Sequence, residues 1–248
     1  MKKLSIIILI SATILFGKVP SWFIETPSTP SGVYLEVGYT DNFYNRDLAR
    51  QVAVFRAVTN MAKQKQLNLL FHSSSISDGR FVLGKPRFEE IYEESIFNEI
   101  MENYMIVDSI FTGKQCFYLV QYPATSKPVK VTNDLVGWGT KPNWIDTLPN
   151  NSKYVFGIGA TANYVHFARG WKDTDSYARF DAGKNIFISV DNWLQDSRSN
   201  NSERTNTQSS QFYDIYIYNC NVVKRWYDKQ TDMFYSLCRL PRNSYQVN

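Results

Sequence analysis

Apolar positions that alternate with polar ones, or that form short runs between turn residues, predict most strands of this chain. Single strands are predicted at 34–40 and 154–161, and each closes on a Gly and a Thr. A pair of strands is predicted in 104–123 and another in 213–241. In the last of these, Tyr213, Ile215 and Ile217 alternate with more polar residues, as a half-buried strand requires.

Helical spacing appears after each of the single strands. It predicts a long helix over 46–64, a second helix within 87–104 and a third over 175–189, which Gly183 weakens. In the third helix Tyr177, Ala178, Phe180, Ala182 and Phe187 supply the apolar positions. In the first helix the residues expected to share one buried face are Leu48, Val52, Phe55, Thr59 and Ala62.

The order of these elements repeats along the chain. Pro20 and Trp22 precede the first strand, as Pro142 and Trp144 precede the strand of the second half. The two Trp residues, and the strand glycines Gly38 and Gly159, recur at a nearly constant separation of about 120 positions. The sequence therefore predicts two similar α+β domains in tandem, each with a helix on an antiparallel sheet, at 18–124 and 141–248.

The segments between and within these domains have a different composition. Residues 125–140 begin with the polar, Pro-containing run TSKPVKVTND and are the predicted linker. Residues 196–211 contain no apolar residue, so they cannot offset the entropy of ordering, and a disordered loop is predicted there.

The first 17 residues have the pattern of a secretory signal peptide. Lys2 and Lys3 precede an uncharged, mostly apolar run over 4–16, which is shorter than the roughly 20 residues that span a bilayer. Cleavage is expected near Gly17, and an uncleaved amino-terminal anchor is the alternative. No Cys lies in or just after this segment to carry a lipid, so we expect an exported protein of the periplasm or cell surface.

Composition and charge exclude several classes of protein. Hydrophobic residues make up 44% of the 248 residues and aromatic residues 15%, which excludes a disordered chain. The formal net charge is +4 and drops when Lys2 and Lys3 are removed, which is too weak to indicate nucleic-acid binding. Three Cys and two His favour neither a disulfide-rich scaffold nor a His-rich metal site.

In this arrangement the chain resembles the bacterial Lpp-twenty lipoprotein family, a twenty-kilodalton surface lipoprotein, and the related amino-terminal domain of flagellar assembly protein T. The shared features are the signal peptide, Pro-x-Trp, a strand that ends near a Gly, an Ala-rich helix with an Asn, and a final strand pair. The matching residues are Pro20, Trp22, Gly38, Ala53, Ala57 and Asn60 in the first half, and Pro142, Trp144, Gly159, Ala178, Ala182 and Asn185 in the second.

The resemblance implies an α+β domain found in cell-envelope proteins, most of which have no established activity. The chain departs from the family in two ways. The lipid-bearing Cys is missing, so lipid anchoring in the outer membrane is not implied here. This chain also contains two copies of the repeated unit, whereas many members of the family contain one.

Trp22 and Trp144 have two interpretations. Each could offer a platform on which a sugar or base stacks, or each could be a lid that a rigid Pro folds over the end of a hydrophobic core. The lid is favoured, and Pro20, Trp22, Gly38, Pro142, Trp144 and Gly159 are therefore predicted to be structural. The run Gly157–Thr161 lacks the third Gly of a dinucleotide loop, and a close backbone approach explains it better.

Other candidate chemistry is sparse. His72 and His166 fall in different segments of the repeat, and Glu36, Asp41 and Asp47 are typical of a solvated face or of a helix start. No recognised motif of a hydrolase, metalloprotease or redox enzyme occurs. We therefore assign no catalytic, metal-binding or cofactor-binding residue.

Cys220 and Cys238 flank the predicted turn of the last hairpin at similar distances, so they can face each other across it. A disulfide is one interpretation, and two small buried thiols are the other, because the cross-strand geometry of a disulfide is demanding. Cys116 lies outside this pair.

The sequence thus favours an exported, non-enzymatic cell-envelope protein of structural or assembly-adaptor type, whose partner is another envelope protein. Peripheral association with a membrane and the oligomeric state stay open. The alternative is a module that binds a glycan or a peptidoglycan-like ligand.

Overall fold

The computed structural model describes residues 17–41, 45–75, 81–82, 89–162, 166–199 and 210–247. These residues form helices and antiparallel sheets, which confirms the predicted α+β class. Of the signal peptide expected at 1–17, only Gly17 is among them, and the other sixteen positions lie outside the described residues.

The first half contains a helix between two long strands, then a short helix and a hairpin. Its elements are β1 (Val19–Pro20), α1 (Ser21–Ile24), β2 (Tyr34–Asp41), α2 (Arg46–Lys65), β3 (Leu67–Ser75), β4 (Phe81–Val82), β5 (Glu89–Ile91), α3 (Glu94–Glu102), β6 (Met105–Phe111) and β7 (Gln115–Tyr122).

The second half runs in a similar order after the short strand β8 (Leu135–Val136). Its elements are a 3₁₀ turn (Asn143–Ile145), β9 (Tyr154–Ala162), α4 (Phe167–Ser199), β10 (Ser210–Ile217), β11 (Asn221–Asp228), β12 (Met233–Pro241) and β13 (Tyr245–Val247).

Each half builds one three-stranded antiparallel sheet with its last long strand in the centre. The first sheet has the order β2-β7-β6 and the second β11-β12-β9. The register slips at the same place in both, between Ile106 and Asp108 in β6 and between Val222 and Lys224 in β11. Such a bulge bends a strand and increases its twist, so both sheets curve at equivalent positions.

A further sheet joins the two halves. Strand β3 of the first half pairs antiparallel with β10 of the second over eight residue pairs, from Leu67 opposite Ile217 to Ser74 opposite Ser210. Leu67, Leu69, Ile215 and Ile217 from these strands are buried against Ala178 and Ala182 of α4. Helix α4 therefore packs on residues from both halves.

Strand glycines let each long helix lie directly on its sheet. A Cβ on Gly38 would lie 1.9 Å from the carbonyl oxygen of Ala53, and one on Gly159 would lie 2.0 Å from that of Thr174. Gly157 meets the same helix one turn further on, at Ala178 and Ala182. The glycines thus serve the close backbone approach expected at Gly157–Thr161.

The contacts of the strand glycines show how the turns of α2 correspond to the turns of α4. Gly38 faces Ala53, whereas Gly159 faces Thr174 and Gly157 faces Ala178, so the predicted matches of Gly38 with Gly159 and of Ala53 with Ala178 differ by one helical turn. Gly157 and Gly159 contact successive turns of α4, so the sequence alone did not show which of them corresponds to Gly38.

The face that α2 buries is not the predicted one. Leu48 is 48% exposed and Phe55 is 53% exposed, although the spacing predicted both to be buried. The buried face consists mostly of small side chains, because Gly38 brings the sheet backbone too close for large ones. Its residues are Ala49, Ala53, Val54, Ala57, Val58, Asn60, Met61, Ala62 and Gln64.

The fourth helix is longer than the pattern predicts. It begins at Phe167 and continues to Ser199, so residues 196–199 of the expected loop lie in its final turn. Residues 210–211 begin strand β10, and the rest of that loop lies outside the described residues. Tyr177 is exposed, whereas Trp171, which the pattern did not select, is fully buried.

The segment expected to be a linker, 125–140, lies against the rest of the chain. Its strand β8 pairs antiparallel with β1. The Gln121 amide donates hydrogen bonds to the carbonyl oxygens of Ser126 and Lys127, and its oxygen accepts one from the Val129 N–H at 2.9 Å. Trp138 is buried and stacks on Trp171 at 5.4 Å between ring centroids.

We predict that Gly38→Ala destabilises the protein by roughly 1–3 kcal/mol or more, because the new Cβ collides with helix backbone that cannot move aside alone. The matched control is Gly137→Ala, where a Cβ meets nothing within 4 Å. Urea unfolding of both variants tests this, and equal stabilities would show that the helix and sheet can separate without cost.

Candidate functional site

Both Pro-x-Trp motifs begin a short helical turn whose indole is buried. Pro20 precedes α1, and Pro142 precedes the 3₁₀ turn at Asn143–Ile145. Trp22 is 2% exposed and Trp144 is 9% exposed, and both belong to one hydrophobic cluster with residues of both halves. Neither ring face is therefore open for a ligand to stack on.

Trp22 also makes a directed polar contact. Its Nε1 donates a hydrogen bond of 2.8 Å to Oδ2 of Asp108, at the bulge of β6. This bond fixes the indole over the first sheet and satisfies the polar atom of a ring that is otherwise surrounded by hydrocarbon.

The other sequence candidates are scattered. The His166 imidazole lies 3.6 Å from the Asp41 carboxylate, and the side chain of His72 lies outside the described residues. Asp47 lies in the first turn of α2, where its charge favours the helix dipole. Within the described ranges no three His, Cys, Asp or Glu side chains are grouped to hold a metal ion.

A buried ion pair lies where the two halves meet. Arg225 of β11 binds Asp175 of α4 through two hydrogen bonds, Nε to Oδ1 at 3.0 Å and Nη2 to Oδ2 at 2.9 Å. Ser236 donates to the same carboxylate at 2.6 Å, and the Tyr39 hydroxyl donates to it at 3.1 Å. Nη1 of Arg225 donates to the carbonyl oxygen of Phe23, so two residues of the first half complete the network.

This pair stays charged although water is excluded from it. Burial raises the pKa of Asp175, but the Arg225 guanidinium, together with Arg179 and the Ser236 hydroxyl, more than offsets burial, so the pKa of Asp175 lies below its ordinary value. The Asp175 carboxylate in turn keeps the pKa of Arg225 raised. Such a pair binds its neighbours in one geometry, because any displacement leaves a buried charge without its partner.

A second buried guanidinium, Arg179, lies one turn along α4 and faces acids of the first half. Its Nη1 is 3.7 Å from Oε1 of Glu90, which also pairs with Lys63. Glu36 is fully buried, and its Oε1 has no hydrogen-bond partner among the described residues. Burial raises the pKa of Glu36 to about 7, against the attraction of Arg179 and Arg225.

The two thiols predicted to face each other do so. The sulfur atoms of Cys220 and Cys238 are 3.1 Å apart, and both residues are fully buried. The Cys220 N–H donates to the carbonyl oxygen of Gln64 at the end of α2. The pair therefore lies at the same junction as the buried charges.

A shallow groove of about 520 Å³ opens beside α1 and the segment that follows Lys127. Its surface is mainly apolar, and its charged residues are Glu25, which pairs with Lys224 at 3.2 Å, and Lys130. The full lining is Ser21, Trp22, Ile24, Glu25, Pro27, Lys130, Val131, Thr132 and Val136.

The outer face of α2 carries large apolar side chains that the fold leaves in solvent. Leu48 and Phe55 lie two turns apart on the same face, and the Phe55 ring is 5.1 Å from the Phe97 ring of α3. Met101, one turn beyond Phe97, is 37% exposed. We call Leu48, Phe55, Phe97 and Met101 the α2–α3 strip.

Sequence reasoning missed Asp175, Arg179 and Arg225 altogether. None of them belongs to a recognised sequence motif, and Asp175 and Arg225 are 50 positions apart. The one available signal was that Arg179 lies next to Ala178 on the face that the Ala pattern predicts to be buried.

Comparisons with protein-family models, with curated proteins and with solved structures give no match. None of the helices in the described part of the chain combines the length and the hydropathy that a bilayer crossing requires.

We predict that Asp175→Asn destabilises the protein by about 3–5 kcal/mol, because it leaves Arg225 charged and buried without its anion. Asp173→Asn on the same helix is the matched control. That acid is partly exposed, 3.9 Å from Arg169, and its loss should cost under about 1 kcal/mol. Chemical unfolding measures both, and equal costs would exclude the pair as the stabilising contact.

Glu36 should make stability depend on pH in the direction opposite to an ordinary carboxylate. Its pKa is about 7 in the folded protein against 4.5 as the ordinary value. Between these values the folded state keeps a proton that the unfolded state has lost, so stability falls as pH rises and is about 3 kcal/mol lower above pH 7. Glu36→Gln should abolish this slope in urea unfolding between pH 5 and pH 8, and parallel profiles of variant and parent would contradict the assignment.

Proposed function

We propose that the chain is an exported, non-enzymatic cell-envelope protein that acts as a structural component or assembly adaptor, built from a duplicated α+β unit. The signal-like pattern of 1–17 and the resemblance to the Lpp-twenty family support export and an envelope location. The recurrence of strand, helix, strand and bulged hairpin in both halves supports the duplication.

The α2–α3 strip is the observation that carries the adaptor role. Leu48 and Phe55 have helical spacing but no place in the core, because the opposite, small-residue face of α2 already packs on the sheet. A large contiguous patch of exposed apolar side chains marks a surface that a partner covers, and we propose that the α2–α3 strip is such a patch. The partner on this proposal is another protein of the cell envelope that presents an apolar surface.

The alternative is a glycan- or peptidoglycan-binding module. Recognition of sugars by aromatic platforms needs an open ring face, and the indoles of Trp22 and Trp144 are closed in the core. The geometry therefore favours the adaptor.

We predict that the double variant Leu48→Ser, Phe55→Ser loses most of its capture of envelope proteins while it melts at the same temperature as the parent. The matched control is Tyr177→Ser on α4, a side chain that is 49% exposed and lies outside the strip. The measurement is a pull-down from envelope extract with the parent and both variants, followed by thermal melting.

Two results would overturn the proposal. Capture by the double variant equal to that of the parent would remove the strip from the interaction. Saturable binding of the parent to a glycan array, unchanged in the double variant, would favour the alternative.

A further inference from the structure

Cys220 lies at a corner that three parts of the fold share. Strand β10 ends at Ile217, the chain turns through Asn219 with a φ of 58°, and β11 begins at Asn221. The N–H of Cys220 bonds to Gln64 at the end of α2. The corner thus connects the sheet shared by both halves to the sheet of the second half.

Cys238 lies in the central strand of that second sheet. It is opposite Val222, two residues beyond Cys220, and its side chain points to the face that α4 covers, along with Ser236 and Leu240. Both cysteines are free thiols in the structure, and their sulfur atoms are 3.1 Å apart, about 1 Å more than the S–S bond of a disulfide.

We propose that Cys220 and Cys238 form a disulfide that ties this corner to the central strand β12 and so fixes the second sheet to the β3–β10 sheet. Oxidation removes two thiol protons and two electrons and forms one S–S bond. The oxidant is a disulfide, either glutathione disulfide or a disulfide oxidoreductase, which takes up the electrons and protons and becomes two thiols.

The bond forms during folding and not afterwards. Both cysteines are fully buried in the folded chain, so an oxidant cannot reach them. Burial also raises the pKa of the Cys238 thiol well above its ordinary value, which suppresses the thiolate that exchange requires. A chain that folds reduced should therefore stay reduced, and a chain that folds oxidised should resist reductant.

The experiment is refolding of the full chain in a glutathione redox buffer or in excess dithiothreitol, followed by denaturation, alkylation and intact-mass analysis. We expect two fewer alkylated thiols after oxidative refolding, and a melting temperature roughly 6–12 °C above that of the reduced protein. Native-state dithiothreitol should leave this difference in place.

Two variants locate the bond. Cys116→Ser should keep the loss of two alkylated thiols and the melting shift, whereas Cys220→Ser should abolish both. A chain that refolds in the redox buffer to its native circular-dichroism spectrum with all three thiols alkylated would overturn the disulfide. Refolding in vitro does not depend on export, so a failure of the disulfide experiment would not contradict the proposed envelope function, which the pull-down tests.

Discussion

The buried Asp175–Arg225 pair is the interaction on which the arrangement of the two halves depends. A charge that is buried away from water requires an opposite charge and hydrogen-bond partners. Two partners of this pair, the Tyr39 hydroxyl and the Phe23 carbonyl oxygen, belong to the first half. Hydrophobic contacts tolerate sliding, whereas a bidentate guanidinium–carboxylate contact does not. The pair therefore favours the one relative placement of the sheets in which all of these hydrogen bonds are made.

The elements that the sequence predicted best are those with local causes. The strands at Tyr34–Asp41 and Tyr154–Ala162 match their predicted ranges closely, since their alternation and terminal glycines are local signals. The buried face of α2 was predicted wrongly, because an apolar period does not tell which face meets a glycine-lined sheet. The charge network could not be predicted, because its partners meet only after β2, α4, β11 and β12 have come together.

The same close packing explains why large apolar side chains of α2 are exposed. Where Gly38 meets Ala53 and Ala57, helix and sheet approach too closely for a large side chain. A helix with Leu48 and Phe55 on one face and alanines on the other must therefore bury the alanines and expose the larger residues. The exposure of Leu48 and Phe55 thus follows from the packing of the opposite face of α2 on the sheet.

The two halves share a plan but close their sheet edges differently. In the second sheet, the Thr26 N–H donates a hydrogen bond to the Val223 carbonyl oxygen, and the Thr26 hydroxyl donates one to the Val222 carbonyl oxygen. A segment of the first half thus covers the bulged edge of β11. In the first sheet, the Ser109 N–H donates a hydrogen bond to Oδ1 of Asp108, and the Trp22 indole donates one to Oδ2 of the same carboxylate.

Residues 22–26 thus reach equivalent strands of both sheets, by the Trp22 side chain on β6 and by the N–H and hydroxyl of Thr26 on β11. An unpaired strand edge invites association with other chains, and each edge here is blocked at its bulge by a different device. Because one short segment of the first half supplies both devices, the two sheets are not closed in equivalent ways. The asymmetry belongs to the junction, where the buried charges, the thiols and the first Pro-x-Trp turn all lie.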